Sequence, residues 1–338
     1  MEKNRPGFEP HDVSFTFDTR GGVCRDKAAL LTAMLRLAGV GSDVILILSG
    51  GRHNPEAPVL WFNHAITVSY DDKGEPEFVF DPTDETTKDF LPKYEEDNSY
   101  IIASEKGDIL RTTPVSPPSK NNSTLNIDLK VKGNNAEGTV RYNLTGMADT
   151  IFRSSFSHKT EHEIKNFITR YLSKISSNLE LGEFSYTKPA DTDKDIIVEA
   201  KVKIYDYLNT VKNNSFIPFD ATKLEMHFLY ESIMDVFSLP ERKFDYKTGG
   251  KYSLDTNLKI EFEEDLEKVS FPEIRTFDYK GYKTAVTNKT DKNILMISYH
   301  FENDQIHYKK EDYQDIKSAL SALDSYGNLY MIRTLGGK

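Results

Sequence analysis

The stretch Gly21-Gly22-Val23-Cys24-Arg25-Asp26-Lys27-Ala28-Ala29-Leu30-Leu31-Thr32-Ala33-Met34-Leu35-Arg36-Leu37-Ala38-Gly39 decides how the first third of the chain folds. Ala28, Leu31, Met34, Leu35 and Ala38 recur at helical spacing and Gly39 supplies a stop, which predicts a helix over 24–38. Cys24 opens that helix. Unpaired N–H groups and the macrodipole at a helix N-terminus favour an anion. Arg25 and Lys27 add positive charge beside the sulfur and Asp26 partly offsets it, so the surroundings favour a thiolate. Taken alone, a single cysteine reads more readily as a small buried hydrophobe.

The segments outward from this helix change that balance. Asp43 to Ser49, Phe62 to Tyr70 and Glu77 to Asp81 read as strands, the last two joined by the turn Asp71-Asp72-Lys73-Gly74. Counting outward from Asp72 and Lys73 sets His64 opposite Asp81, within one residue for a bulge. Opposed side chains share a face with Cβ atoms about 4.5–5.5 Å apart. An imidazole nitrogen is therefore expected about 2.6–3.2 Å from a carboxylate oxygen, with the Cys24 sulfur near the other nitrogen. A carboxylate fixes the imidazole tautomer and supports its charged form beside a thiolate.

Three motifs in order, Gly22-Val23-Cys24-Arg25-Asp26-Lys27-Ala28, Phe62-Asn63-His64-Ala65 and Asp81-Pro82-Thr83, resemble the transglutaminase-like superfamily over roughly residues 12–92. The resemblance implies a cysteine-protease-type core, with Cys24 as nucleophile, His64 as general base and acid, and Asp81 orienting the imidazole. It also implies a helical segment before the nucleophile helix. Only 23 residues precede Cys24, so the core is expected to be cut short at its N-terminus. The Cys24 backbone N–H is the candidate oxyanion donor, with no second donor identified. More loosely, the Pro-rich linker and the β-rich remainder resemble bacterial multidomain proteins that carry this core with β-structure behind it.

The chain has 338 residues, 43 basic against 53 acidic, for a net charge of −10. With no cluster of five or more Lys/Arg, that balance argues against nucleic acid as a partner. The longest apolar run, Val44 to Leu48, is far short of the ~20 residues of a membrane-spanning helix. One cysteine excludes an internal disulfide and multi-Cys metal sites. The fold class expected is α+β: a core over 1–110, a Pro/Ser linker over 111–123, and a mainly antiparallel, β-sandwich-like region with two helices over 124–338. In the last region Leu125 to Val131, Gly138 to Leu144, Ile196 to Tyr205, Lys223 to Leu229 and Leu254 to Phe262 read as strands. One helix carries Ile164, Phe167, Ile168, Tyr171, Leu172 and Ile175; the other carries Tyr313, Ile316, Leu320 and Leu323, with a strand at Leu329 to Thr334 behind it.

Other signals are set aside. His158-Lys159-Thr160-Glu161-His162 fits the zinc-peptidase pattern H-x-x-E-H. On the following helix, however, both histidines project away from the apolar stripe, toward solvent. His53 reads as a surface loop histidine, Trp61 as a core residue, and the acidic group Glu261 to Glu267 as a solvated strand edge. No metal and no cofactor is expected. The function expected is thiol-dependent acyl transfer on amide bonds of a protein or peptide substrate through a Cys24 thioester, with hydrolysis preferred over transamidation. The alternative is a non-catalytic binding or scaffold protein of the cell envelope. A periplasmic or envelope location follows if a signal peptide precedes Met1.

Overall fold

A computed structural model describes residues 9–57, 59, 61–218, 226–271, 276, 278–326 and 330–334. The chain divides into two compact units, Met1–Val115 and Ser116–Lys338. Both mix helices with mostly antiparallel sheet, an α+β class.

The first unit runs α1 (Val13–Thr19), α2 (Cys24–Leu37), β1 (Ser42–Ile47), β2 (His64–Tyr70), β3 (Pro76–Phe80), β4 (Ser99–Ile102) and β5 (Arg111–Thr112). The strands form one antiparallel sheet ordered β3-β2-β1-β4-β5. Ile45, Ile47, Ile66, Val68, Val79, Tyr100 and Ile102 make its core. α2 stops where the periodicity ends: the Ala38 N–H donates to Met34 O (3.0 Å), and Gly39 takes φ 83°, open to glycine without strain. Its inward line is Ala28 and Thr32 rather than the full apolar stripe, and Met34 is half exposed. Thr67 Oγ1 on β2 donates to Ala28 O (3.1 Å), which draws that line onto the sheet.

Four sequence expectations change here. A short helix, α1, does precede α2. The stretch expected as linker is in part sheet: Arg111 and Thr112 pair with β4, and the second unit's first strand begins at Asn122. Trp61 is 73% exposed, because it lies in the loop before β2, outside the sheet that buries Ala65 to Ser69. His53, expected at the surface, is half-buried edge-on to Phe62, ring centroids 4.7 Å apart.

The second unit runs β6 (Asn122–Lys132), β7 (Asn135–Leu144), α3 (Met147–Phe156), α4 (Glu161–Leu172), β8 (Leu179–Tyr186), β9 (Ile196–Ile204), β10 (Asn209–Val211), β11 (Asn214–Pro218), α5 (Tyr230–Val236), β12 (Tyr246–Lys247) and β13 (Tyr252–Glu261). It continues with β14 (Lys268–Ser270), β15 (Asp278–Tyr279), β16 (Tyr282–Asp291), β17 (Ile294–Asn303), β18 (His307–Tyr308), α6 (Tyr313–Tyr326) and β19 (Tyr330–Thr334). An eight-stranded sheet, β15-β16-β17-β13-β6-β7-β9-β8, is antiparallel except where β13 runs parallel to β6. Alternate residues such as Leu125, Ile127 and Leu129 on β6 and Val140, Tyr142 and Leu144 on β7 face one core. That core also takes in residues of all four helices and of the small sheet β10-β11-β19-β14. The sandwich with two helices is therefore corrected: four helices are described here, and they share the covering of one sheet face with the small sheet.

Among the expected strands, residues 226–229 are not strand but lead into α5. Residues 219–225, Leu329 and the side chain of Leu323 lie outside the described part. The apolar stripe of α4 holds, with Ile164, Ile168 and Leu172 buried. Thr160 and Glu163 cap its start reciprocally: the Thr160 N–H donates to Glu163 Oε2 (2.8 Å) and the Glu163 N–H to Thr160 Oγ1 (3.3 Å).

His227, 1% exposed, sits between Ser123 Oγ and Thr256 Oγ1, each 3.0 Å from a ring nitrogen. Burial lowers its pKa to about 4, against a weaker pull upward from the Asp255 charge and Ser123. A histidine held neutral in the fold gives stability that is full above its ordinary value and is lost as pH falls toward 4. At about 1.36 kcal/mol per unit, the loss is expected to be roughly 3 kcal/mol. Urea midpoints measured at pH 7 and 4.5 should separate more for the native chain than for His227→Gln; equal separations would contradict this.

Candidate active site

The site lies wholly in the first unit. Cys24, half-buried, begins α2 behind two glycines. Asp26, 2% exposed, closes that helix end by accepting from the Val23 N–H (Oδ2, 3.0 Å) and the His11 N–H (Oδ1, 2.9 Å). Burial works against its ionised form, but these bonds, with His11 Nδ1 at 3.2 Å from Oδ1, hold its carboxyl below the usual range. The positive charges expected beside the sulfur are engaged elsewhere: Arg25 Nε donates to Glu9 O (2.9 Å), and Lys27 Nζ meets Glu85 (3.3 Å).

Gly22 makes this approach possible. A Cβ there would stand 2.7 Å from Asp26 Cβ and 3.3 Å from Thr16 Cγ2. Gly22→Ala is expected to displace the Asp26 cap and cost about 1–3 kcal/mol, as overpacking does. Chemical denaturation checks the loss, and an unchanged midpoint would contradict it.

The expected hairpin register is corrected. Thr67 pairs with Phe80 and Tyr70 with Pro76, with a shift between Ser69 and Tyr70, so Asp81 lies past the end of β3 rather than opposite His64. The shift falls beside Pro76, which has no N–H to give to the ladder. The two side chains still meet, for another reason. The Asp81 N–H donates to Phe90 O (2.8 Å), turning the chain, and Thr83 donates to Asp81 Oδ1 through both its N–H (2.8 Å) and its hydroxyl (2.7 Å). Oδ2 is left facing His64 Nε2 at 3.3 Å, just beyond the range expected. Thr83 Oγ1 stands 3.4 Å from the same nitrogen.

Burial of His64 opposes its charged form. The hydrogen bond and charge of Asp81, then the charge of Glu95, then a hydrogen bond with the Cys24 side chain outweigh it and raise its pKa to about 9. Asp81, 8% exposed, is penalised by burial but held below the usual carboxylate range by His64 and Thr83. Cys24, His64 and Asp81 are thus brought together in the order sulfur, imidazole, carboxylate.

Glu95 is a residue the sequence did not single out. It ends the short 3₁₀ turn Lys93–Glu95, is fully buried, and places Oε1 3.8 Å from His64 Nε2. Neither carboxylate oxygen has a hydrogen-bond partner of acceptable geometry, although the Ser49 hydroxyl is close enough to favour the ionised form slightly. Burial, then the Asp81 charge, push its pKa up to about 7 against the pull of His64. Its run, Tyr94-Glu95-Glu96-Asp97-Asn98, reads as a solvated turn, and only Thr113, whose Oγ1 donates to Glu95 O (2.6 Å), reveals that it is folded inward. His64, Asp81 and Glu95 offer donor atoms within 4.8 Å of one another and could hold a metal.

Along α2, a groove of about 550 Å³ is lined by Phe17, Leu30, Leu31, Met34 and Pro82, with Arg20 and Lys27. His158 and His162 of the H-x-x-E-H pattern are exposed, His162 Nε2 lying 3.1 Å from Asn166 Nδ2. No helix among the described residues is long and apolar enough to cross a membrane.

No family model matches the chain, and no curated protein matches it. Among solved structures, a "putative protease" from Parabacteroides distasonis ATCC 8503 is similar at 10% identity and a TM-score of 0.49. The likeness covers 96% of this chain and 46% of that one, so the chain spans less than half the length of that protein.

Proposed function

We propose that the chain carries out thiol-dependent acyl transfer on amide bonds of a protein or peptide, from a transglutaminase-like core, with Cys24 as nucleophile. The observation that carries this reading is the linked set Cys24–His64–Asp81 at the start of α2. The Cys24 sulfur attacks the carbonyl carbon, and the oxyanion forms beside the Cys24 N–H and the α2 N-terminus. As the C–N bond breaks, the imidazolium of His64 gives its proton to the departing amine and a thioester remains. Water then attacks the thioester while His64 takes its proton, the C–S bond breaks, and the acid leaves with the thiolate–imidazolium pair restored. Asp81 acts by fixing which ring nitrogen faces the sulfur. The groove lined by Phe17, Leu31 and Met34 suits an apolar side chain of the acyl donor.

An activated ester tests this. Incubation with p-nitrophenyl acetate should add one acetyl group to Cys24 by intact mass, labile to hydroxylamine and missing in Cys24→Ser. No adduct, or an adduct that survives in Cys24→Ser, would contradict the proposal.

A further inference from the structure

We propose that His64, Asp81 and Glu95 form a binding site for one divalent transition-metal ion of the zinc class. Three side chains from separate elements converge: His64 from the start of β2, Asp81 from beyond the end of β3, and Glu95 from the 3₁₀ turn. Their donor atoms lie within 4.8 Å of one another, with His64 Nε2 at 3.3 Å from Asp81 Oδ2 and 3.8 Å from Glu95 Oε1. Zinc–nitrogen and zinc–oxygen bonds of about 2.0–2.2 Å set donors of one tetrahedral ion roughly 3.3–3.6 Å apart. Small side-chain rotations close the difference.

The independent pointer to a ligand is Glu95. It is 0% exposed, its Oε1 lies 3.8 Å from His64 Nε2, and neither oxygen has a hydrogen-bond partner of good geometry, the Ser49 hydroxyl adding only a weak contact. Buried carboxylates are retained when paired or when they coordinate a metal. A dication between Asp81 and Glu95 balances two carboxylates that otherwise share one imidazole. One imidazole and two carboxylates suit zinc and its first-row neighbours, whereas calcium and magnesium take all-oxygen shells. Asp81 is pre-set for the role, since Thr83 occupies Oδ1 and leaves Oδ2 free to coordinate. The His64 side chain, 18% exposed, marks the solvent side, where a fourth ligand position would open.

This site is separate from the H-x-x-E-H pattern and does not use the Cys24 sulfur, but it shares His64 and Asp81 with the proposed acyl-transfer site. Metal and the Asp81 hydrogen bond use the same nitrogen, Nε2, and exclude each other.

Equilibrium dialysis of the full chain against Zn²⁺ alone, with elemental analysis, tests it; visible absorption of bound Co²⁺ is the second readout. About one Zn²⁺ per chain is expected, retained in Cys24→Ser and His158→Ala and weakened by about tenfold or more in Glu95→Gln. If Glu95→Gln does not fold by circular dichroism, Asp81→Asn carries the same comparison. No retained zinc, affinity unchanged in the folded carboxylate variant, or binding lost in Cys24→Ser would each overturn the proposal; the last would assign the metal to a thiol–imidazole pair.

Discussion

Asp81→Asn is expected to leave the fold intact and slow acylation of Cys24 by about 10³–10⁴-fold, the scale on which losing the imidazole-orienting carboxylate acts. Asp81 accepts two bonds from Thr83 and faces His64 Nε2. Asparagine keeps the shape and presents a carbonyl oxygen to Thr83. Its amide N–H₂ then faces Nε2, so the imidazole must accept there and carry its proton on the nitrogen facing sulfur. The cation that supports a thiolate is also weakened, because Asp81 supplies the largest of the influences that raise the His64 pKa. Acetyl-enzyme formation followed by stopped-flow, with circular dichroism as the folding check, measures the effect. A rate within about threefold of native would contradict an orienting role, since such a change is below 1 kcal/mol of barrier.

The second large effect lies in the other unit. Arg153 and Asp149, one turn apart on α3, are each 1% exposed. Arg153 donates to both Asp149 oxygens (2.5 and 3.1 Å) and to the carbonyls of Pro189 (2.8 Å), Asp191 (3.1 Å) and Lys194 (2.6 Å). Asp149 Oδ2 also accepts from the Ile196 N–H (3.2 Å), tying the helix to the start of β9. Arg153→Met removes the cation and leaves the buried Asp149 carboxylate without its ion-pair partner and the Pro189 and Lys194 carbonyls without their guanidinium donor. Breaking a buried pair from one side costs about 3–5 kcal/mol. Urea denaturation should show that loss, and Asp149→Asn, which keeps an acceptor for both partners, should lose less. A loss below about 1 kcal/mol in Arg153→Met would mean that water or the neighbouring loop replaces the guanidinium.

How much of this was legible in the sequence follows from where each signal is stored. The α2 helix and its glycine stop are local properties, and residues 24–39 alone specify them. The meeting of His64 with Asp81 was readable in outcome but not in cause: symmetric counting ignored Pro76, and the contact depends on the turn that Thr83 and Phe90 impose on Asp81. Glu95 carried no local signal: its fixed place depends on distant contacts such as the bond from Thr113, 18 residues away, to its backbone carbonyl. Trp61 misled because a large apolar residue favours burial on average, while the loop before β2 gives it no covering layer. In the second unit, the strand reading at 223–229 broke down where Tyr230 to Val236 turn helical, a helix whose β-branched and aromatic residues weaken the helical pattern. The parallel pairing of β13 with β6 joins segments about 130 residues apart and has no local trace.

The most direct measurement of the central claim is the rate at which iodoacetamide alkylates Cys24 at pH 6, in the native chain and in His64→Ala, with EDTA present. If Cys24 and His64 work as a pair, the native thiol reacts much faster than a free cysteine at that pH, and His64→Ala falls to the free-cysteine rate. Equal rates in the two proteins, both at the free-cysteine level, would contradict a thiol active site and leave a core that binds without catalysing.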